Sequence, residues 1–170
     1  MHRIWITGSS GSGKTTLANI IGVKLNLPVY HNDRIYWMRN WQQRPFSEQI
    51  EITKGISEKD DWIYEGNRFS DSKVDGRYNR CDTIIFIEIN RLICLYRFLS
   101  RYLKHRGIVR PDMPEGCKEN IDISIIKYIL FEFPKKKKVR QKLFSEALSD
   151  GKDVIILCGI KGVKKLINSL

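Results

Sequence analysis

Apolar and polar positions along the chain change period several times, and the changes mark its elements. Arg3 to Thr7 reads as a strand, after which Leu17, Ile20, Ile21 and Leu25 recur at helical spacing. A strand, a glycine-rich loop and a helix therefore open the protein. Pro28 to His31 has the character of a short second strand, a polar and aromatic stretch follows, and Ser47 to Lys59 forms a helix started by Ser47 and ended near Asp60. Trp62 to Glu65, Thr83 to Ile89 and Val154 to Cys158 are short runs rich in β-branched and aromatic residues, the pattern of strands buried on both faces of a parallel sheet. Between the last two strands, Leu92, Leu95, Tyr96, Leu99 and Leu103 mark the apolar face of one helix, and Ile125, Ile126, Ile129, Leu130 and Phe133 that of another. Gly107 to Gly116 is a loop. Pro134 either kinks the helix it follows or begins a new one running to about Leu148, and Ile160 to Leu170 closes the chain as a short helix. Strands alternating with helices through short connections predict an α/β fold of three layers, with a five-stranded parallel sheet built by right-handed crossovers.

Composition narrows this picture without redirecting it. At 170 residues and 42% apolar content the chain can bury one core, so a single domain over 1–170 is expected. No apolar run approaches the roughly 20 residues of a membrane span. The N-terminus turns polar and glycine-rich before a signal-peptide core could develop, so a cytoplasmic protein is expected. Four cysteines (Cys81, Cys94, Cys117, Cys158) and three histidines (His2, His31, His105) are scattered with no CxxC or HExxH spacing, and a structural zinc is not expected. The formal charge of +11 favours an anionic partner without specifying it.

The sharpest chemical signal is Gly8-Ser9-Ser10-Gly11-Ser12-Gly13-Lys14-Thr15, a complete G-x-x-x-x-G-K-[ST] lying between a predicted strand and a predicted helix. Its glycines let the backbone curl so that successive N–H groups face phosphate oxygens, and the helix beginning near Lys14 adds the positive end of its dipole. Lys14 neutralises the β- and γ-phosphates and Thr15 offers a hydroxyl to Mg²⁺, with Thr16 among the nucleotide contacts. Hydrated Mg²⁺ also needs an acidic residue near the cradle. Glu65, Glu88 and Asp33 are candidates, and Glu65 is favoured because Trp62-Ile63-Tyr64-Glu65-Gly66 ends a strand and turns at a glycine.

Arg97, Arg101, Arg106 and Arg110 form a second cluster, the first two one helical turn apart and the others flanking the Gly107 to Gly116 loop. Arginines on a mobile lid clamp a transferring phosphoryl group and exclude water. The alternative for Arg97 and Arg101 is a solvated basic helix face. The stretch Tyr30 to Trp37, with Trp41 and Phe46 beyond, suits either stacking of a flat acceptor or core packing. Asp33 is a candidate acceptor contact or base there, and Trp37 a candidate acceptor contact.

Taken together these residues resemble the small P-loop kinase-like proteins related to adenylate kinase, and within them the family of DNA topology modulation proteins. The resemblance covers nearly the whole chain. It is carried by the P-loop, the Asp33 to Trp37 segment, Trp62-Ile63-Tyr64-Glu65-Gly66-Asn67, the Arg91 to Arg101 helix, and Arg106-Gly107-Ile108-Val109-Arg110-Pro111-Asp112-Met113-Pro114-Glu115-Gly116-Cys117. It implies a nucleoside-monophosphate-kinase-like fold with an acceptor segment over about 31–60 and a short lid over about 104–120. It further implies ATP as donor with Mg²⁺, Arg97 against the nucleotide base, Arg101 and Arg110 reaching the phosphates, and Arg68 contacting an acceptor phosphate. Glu65 stands where adenylate kinases carry aspartate before glycine, and the lid is too short for a zinc knuckle or extended hairpin.

Two functions are therefore expected to compete. One is an ATP-dependent phosphotransferase acting on a nucleotide or other small acceptor. The other is an ATP-regulated nucleic-acid-binding protein affecting DNA topology, suggested by the net charge and by Lys135-Lys136-Lys137-Lys138, although no helix-turn-helix, zinc finger or aromatic RNA-binding signature supports it.

Overall fold

The computed structural model describes residues 1–110 and 112–170. Pro111, part of the predicted loop and of its family-like run, lies outside the described residues. Five strands, β1 (Arg3–Gly8), β2 (Val29–His31), β3 (Trp62–Glu65), β4 (Thr83–Glu88) and β5 (Asp153–Cys158), form one parallel sheet in the order β2-β3-β1-β4-β5. Each coincides with a strand read from the sequence. The helices are α1 (Lys14–Leu25), α2 (Asn32–Tyr36), α3 (Phe46–Ser57), α4 (Arg77–Arg80), α5 (Arg91–His105), α6 (Ile123–Lys127), α7 (Phe133–Lys135), α8 (Lys137–Ser149) and α9 (Gly159–Ser169). A 3-10 turn at Arg39–Trp41 and a π-turn at Tyr128–Glu132 complete the described elements.

Alternation along the strands sends side chains to both faces, and each face is covered. Trp5, Trp62, Tyr64, Ile84 and Phe86 pack with Ile56 of α3, Tyr78 of α4 and Leu143, Phe144 and Ala147 of α8. Ile4, Ile6, Ile63, Ile85 and Ile87 pack on the other face with Leu17, Ala18 and Ile21 of α1 and with Val163, Leu166 and Ile167 of α9. This is the three-layer α/β arrangement expected from the chain. Among the described residues no helix is long and apolar enough to cross a membrane.

The structure corrects one reading and adds detail to another. The predicted apolar face of α5 holds only in part: Leu95 and Leu99 pack with buried Cys94, Phe98 and Ile129, whereas Leu92, Tyr96 and Leu103 are 64%, 71% and 74% exposed. The reason is close packing against the glycine loop, since a Cβ on Gly11 would lie 2.2 Å from the Cys94 carbonyl oxygen. The inward face of α5 is therefore Cys94, Arg97, Phe98, Arg101 and His105, one helical stripe mixing apolar and cationic groups, and apolar periodicity alone does not find it. Past Pro134 the chain restarts as helix and runs through α8 to Ser149, as one of the two expected alternatives had it. Proline has no N–H for the Leu130 carbonyl one turn back, and Arg91 Nη1 donates to that oxygen instead at 3.1 Å, beside the π-turn.

Candidate active site

Parallel strands expose their C-terminal ends to the same side, and there Gly8, His31 and Glu65 come together across a cleft of about 1980 Å³. The P-loop folds tightly at its rim. Gly8, Gly11 and Gly13 have φ of 156°, 77° and 96°. A Cβ on Gly8 would stand 2.8 Å from Ser12 Oγ and 2.9 Å from the Ile87 carbonyl. The loop is closed by Ser12 N donating to Ser9 O at 3.1 Å, and among the described residues the buried Ser12 hydroxyl has no hydrogen-bond partner. Ser10, Gly11, Ser12, Gly13, Lys14, Thr15 and Thr16 line the cleft, while Gly8 and Ser9 form the buried base of the loop.

Glu65 is the hub of the floor. Its Oε1 lies 3.4 Å from Lys14 Nζ, and its Oε2 accepts from Thr15 Oγ1 at 3.2 Å and lies 3.2 Å from His31 Nδ1. Burial by itself would raise this carboxyl. The Lys14 charge, with the contacts from His31 and Thr15, outweighs it and holds the group below its ordinary value. Asp33, on the first turn of α2, behaves oppositely: crowding by the cleft walls, then the negative charge of Glu65, raises its carboxyl, with Lys14 and Arg110 opposing. The residue as a whole is exposed while its carboxyl is desolvated against the cleft that Asp33 lines.

The loop after β3 forms the next wall. Asn67 Oδ1 accepts from Thr7 Oγ1 at 2.7 Å and from Gly8 N at 3.0 Å, tying this loop to the P-loop, and its amide donates to the Tyr128 hydroxyl. Arg68 follows, bonded to Asp71 at 2.6–2.7 Å and to Gln49, with its guanidinium 5.3 Å and 5.6 Å from the rings of Tyr36 and Phe46. Beneath it, buried Arg77 pairs with Asp75 at 2.7 Å, stacks 4.3 Å from the Tyr64 ring and donates to the Arg68 carbonyl at 3.1 Å.

The arginine side is assembled from α5 and the loop after it. Arg97 Nη1 reaches the Ser12 carbonyl at 3.4 Å, alongside the glycine loop. Arg101 and Arg110 both approach Glu119, and Arg110 also bonds Asp112 at 2.7 Å. Arg106 is not brought into this group. It is exposed and outside the cleft lining, its backbone bridging to Glu119, because it directly follows the last turn of α5 and precedes the positive-φ turn at Gly107. Trp37 and Trp41 line the cleft edge to face at 5.3 Å. Trp41 is fixed to the far loop: its backbone N–H donates to Cys117 Sγ and its indole N–H to the Lys118 carbonyl.

Four contributors escaped the sequence reading: His31, Asn67, Glu119 and Arg140. The first two could have been found as polar residues at or just after strand ends. Arg140 lies among the apolar positions of α8 and is 7% exposed, stacked 4.1 Å from the Phe133 ring with Nη1 donating to the Phe133 carbonyl. It lines the cleft, and among the described residues no carboxylate lies within ion-pair distance of it. Burial pushes its guanidinium down, with Tyr128 and Glu88 opposing. The lysine run divides: Lys136 lines the cleft, whereas Lys135 pairs with Glu132 at 3.3 Å.

Sheet order, glycine loop and the position of the cleft define a P-loop fold of the nucleoside-monophosphate-kinase type. Solved structures share it. Shikimate kinase from Acinetobacter baumannii in complex with shikimate matches with a TM-score of 0.58 at 11% identity over 99% of this chain and 90% of its own. Shikimate kinase from Bacteroides thetaiotaomicron matches with a TM-score of 0.54 at 16% identity over 99% and 95%. The enzyme from Aquifex aeolicus gives 0.51 at 20% over 98% and 94%. At these identities the likeness is one of fold. No protein-family model matches the chain, and no curated protein matches its sequence.

Proposed function

We propose that the protein is a Mg-ATP-dependent phosphotransferase whose acceptor is a small molecule carrying both a hydroxyl and an anionic group. The observation that carries the reading is the gathering in one cleft of a P-loop lysine, a carboxylate beside the P-loop threonine, and a second carboxylate, that of Asp33, with a raised affinity for protons.

The residues present fit the donor and its metal. The loop admits backbone and no Cβ at Gly8 and Gly11, and among the described residues its buried Ser12 hydroxyl has no hydrogen-bond partner. Thr15 and Glu65 supply the hydroxyl and the carboxylate with which Mg²⁺ is commonly held while it keeps its waters and the substrate phosphates. Bound there, the metal would relieve the negative charge that develops on the phosphates in transfer. Lys14 holds the β- and γ-phosphates, and Arg97, Arg101 and Arg110 take the opposite side, over the lid segment 104–120.

On the acceptor side, Asp33 receives the hydroxyl proton as that oxygen bonds to the γ-phosphorus and the bond to the β–γ bridging oxygen breaks, releasing ADP. A carboxyl with a raised pKa suits this task, because it takes a proton more readily than an ordinary aspartate. Arg68 and Arg140 accept the acceptor's anionic group. An otherwise unpaired buried cation lining a cleft is the usual mark of an anionic ligand. Tyr36 and Trp37 supply the apolar wall, and the Phe46 ring lies 5.6 Å from the Arg68 guanidinium.

On this reading the resemblance to DNA topology modulation proteins describes kinship with an adenylate kinase-like enzyme. The competing nucleic-acid reading rests on net charge, and one lysine of the 135–138 run is turned to the cleft. The test is to incubate the protein with Mg-ATP and a panel of nucleoside monophosphates, nucleosides, phosphorylated alcohols and hydroxy acids including shikimate. At least one phosphorylated product is expected. Slow hydrolysis unaffected by every acceptor, together with tight duplex or single-strand binding at physiological salt, would favour the alternative.

A further inference from the structure

Two guanidiniums on the far wall of the cleft share one oxygen. Arg101 Nε lies 3.1 Å and Arg110 Nε 2.6 Å from Glu119 Oε1. Glu119 is itself held: its side chain is 5% exposed, its N–H donates to the Ile108 carbonyl at 3.0 Å, and its backbone bridges to Arg106. It thereby clasps the two ends of the loop that follows α5. Two cations brought this close in a partly buried site repel strongly, and one carboxylate between them offsets that repulsion.

The contact leaves the arginines usable. Neither Nε forms an aligned hydrogen bond with Glu119, so the carboxylate positions them by charge without saturating their donors. A guanidinium approached at Nε keeps the edge formed by its two terminal nitrogens, the edge that binds phosphate in a fork. Among the described residues the terminal nitrogens of Arg101 have no protein acceptor, while Arg110 uses Nη1 on Asp112. Both arginines and Glu119 line the cleft.

We propose that Glu119 is a positioning residue that holds Arg101 and Arg110 together as one paired clamp for the terminal phosphate of a nucleoside triphosphate. This rests on the nucleotide-cleft reading above but not on the transfer step or on any acceptor. Glu119 touches neither substrate nor reacting atoms. Its removal lets the guanidiniums separate, so that one triphosphate no longer meets both.

The test compares binding of Mg-ATP and Mg-ADP by calorimetry, with thermal melts on the same samples. In the unsubstituted protein ATP is expected to bind more tightly than ADP. Glu119→Gln should shrink that preference at least fivefold while ADP affinity changes less than twofold, and Glu119→Asp, which keeps the charge, should restore most of it. In an Arg101→Ala/Arg110→Ala background, Glu119→Gln should have no further effect on the preference. An unchanged preference in Glu119→Gln, equal losses for ATP and ADP, or a further loss in the doubly substituted background would overturn the proposal. If Glu119→Gln is poorly folded, Arg101→Ala, Arg110→Ala and their combination decide: a paired clamp predicts that either single change loses nearly the whole preference, whereas independent losses that multiply contradict it. An acceptor panel that yields no product would sink the transfer reading and leave this comparison intact.

Discussion

The ammonium of Lys14 lies 3.4 Å from the carboxylate of Glu65, although 50 residues of chain separate Glu65 from the threonine next to that lysine. The first residue of α1 and the last of β3 meet because β1 and β3 are parallel neighbours, with Ile6 in register with Glu65. On the proposed reading this joins the phosphate-binding cation and the metal-side carboxylate in one unit. Lys14→Ala is expected to weaken ATP binding about 30- to 150-fold, equivalent to about 2–3 kcal/mol for a charge-assisted contact. Calorimetric titration with Mg-ATP checks this, and affinity within a factor of three would argue against the cradle assignment.

The glycine loop gives a steric prediction. A Cβ on Gly11 would meet the Cys94 carbonyl at 2.2 Å, and its φ of 77° suits few other residues. Gly11→Ala should destabilise the fold by about 1–3 kcal/mol, the usual range for overpacking and backbone strain. It should also push α5, with Arg97, away from the loop. Urea unfolding measures the first effect and ATP affinity the second, and both are expected to fall.

Asp33 sets the pH dependence. Its carboxyl is raised above the ordinary 3.8 by burial and by Glu65. As the proton acceptor it works ionised, so kcat/KM should fall as pH drops through that raised pKa, with the acid limb lying above the ordinary aspartate range. Asp33→Asn should reduce turnover about 10²- to 10⁴-fold, remove the limb and leave ATP affinity nearly unchanged. A pH–rate profile of both proteins is the check, and an acid limb retained in Asp33→Asn would assign the proton to another group.

The two buried arginines are expected to respond to different degrees. Arg77 is paired with Asp75, and Asp75→Asn leaves a guanidinium buried without its partner, which typically costs about 3–5 kcal/mol. Arg140 has no carboxylate partner to lose. Arg140→Met breaks no ion pair but removes the donor to the buried Phe133 carbonyl and the stacking on the Phe133 ring, so it should cost about 1–3 kcal/mol, less than Asp75→Asn. Thermal or urea unfolding distinguishes the two. Once an acceptor is in hand, Arg140→Met should also raise its KM at least tenfold with little change for ATP.

Particular elements show how far the sequence could be read. Strands buried on both faces have a composition that periodicity captures, and the P-loop signature is local in sequence, so the sheet and the cradle were legible. The orientation of α5 was not, because its inward face lies against a polar cleft and carries Arg97 and Arg101 between Cys94 and Phe98. The contact of His31 with Glu65 depends on β2 and β3 being neighbours, which no local pattern reveals. Glu119 was invisible for a similar reason: its partners Arg101 and Arg110 are assembled by a loop closed through the Ile108 carbonyl, and loops of this kind have no period to read. Arg140 sits where amphipathic spacing asks for an apolar residue, and its charge becomes informative only once its burial is known.

The most direct measurement is phosphorus NMR of the protein with Mg-ATP and the acceptor panel, following ADP and new phosphate-ester signals together. Transfer requires that ADP and one phosphorylated acceptor appear in equal amounts, and that both form at least tenfold more slowly in Lys14→Ala at subsaturating Mg-ATP and in Asp33→Asn. ADP appearing only with inorganic phosphate, at a rate no acceptor alters, would contradict it.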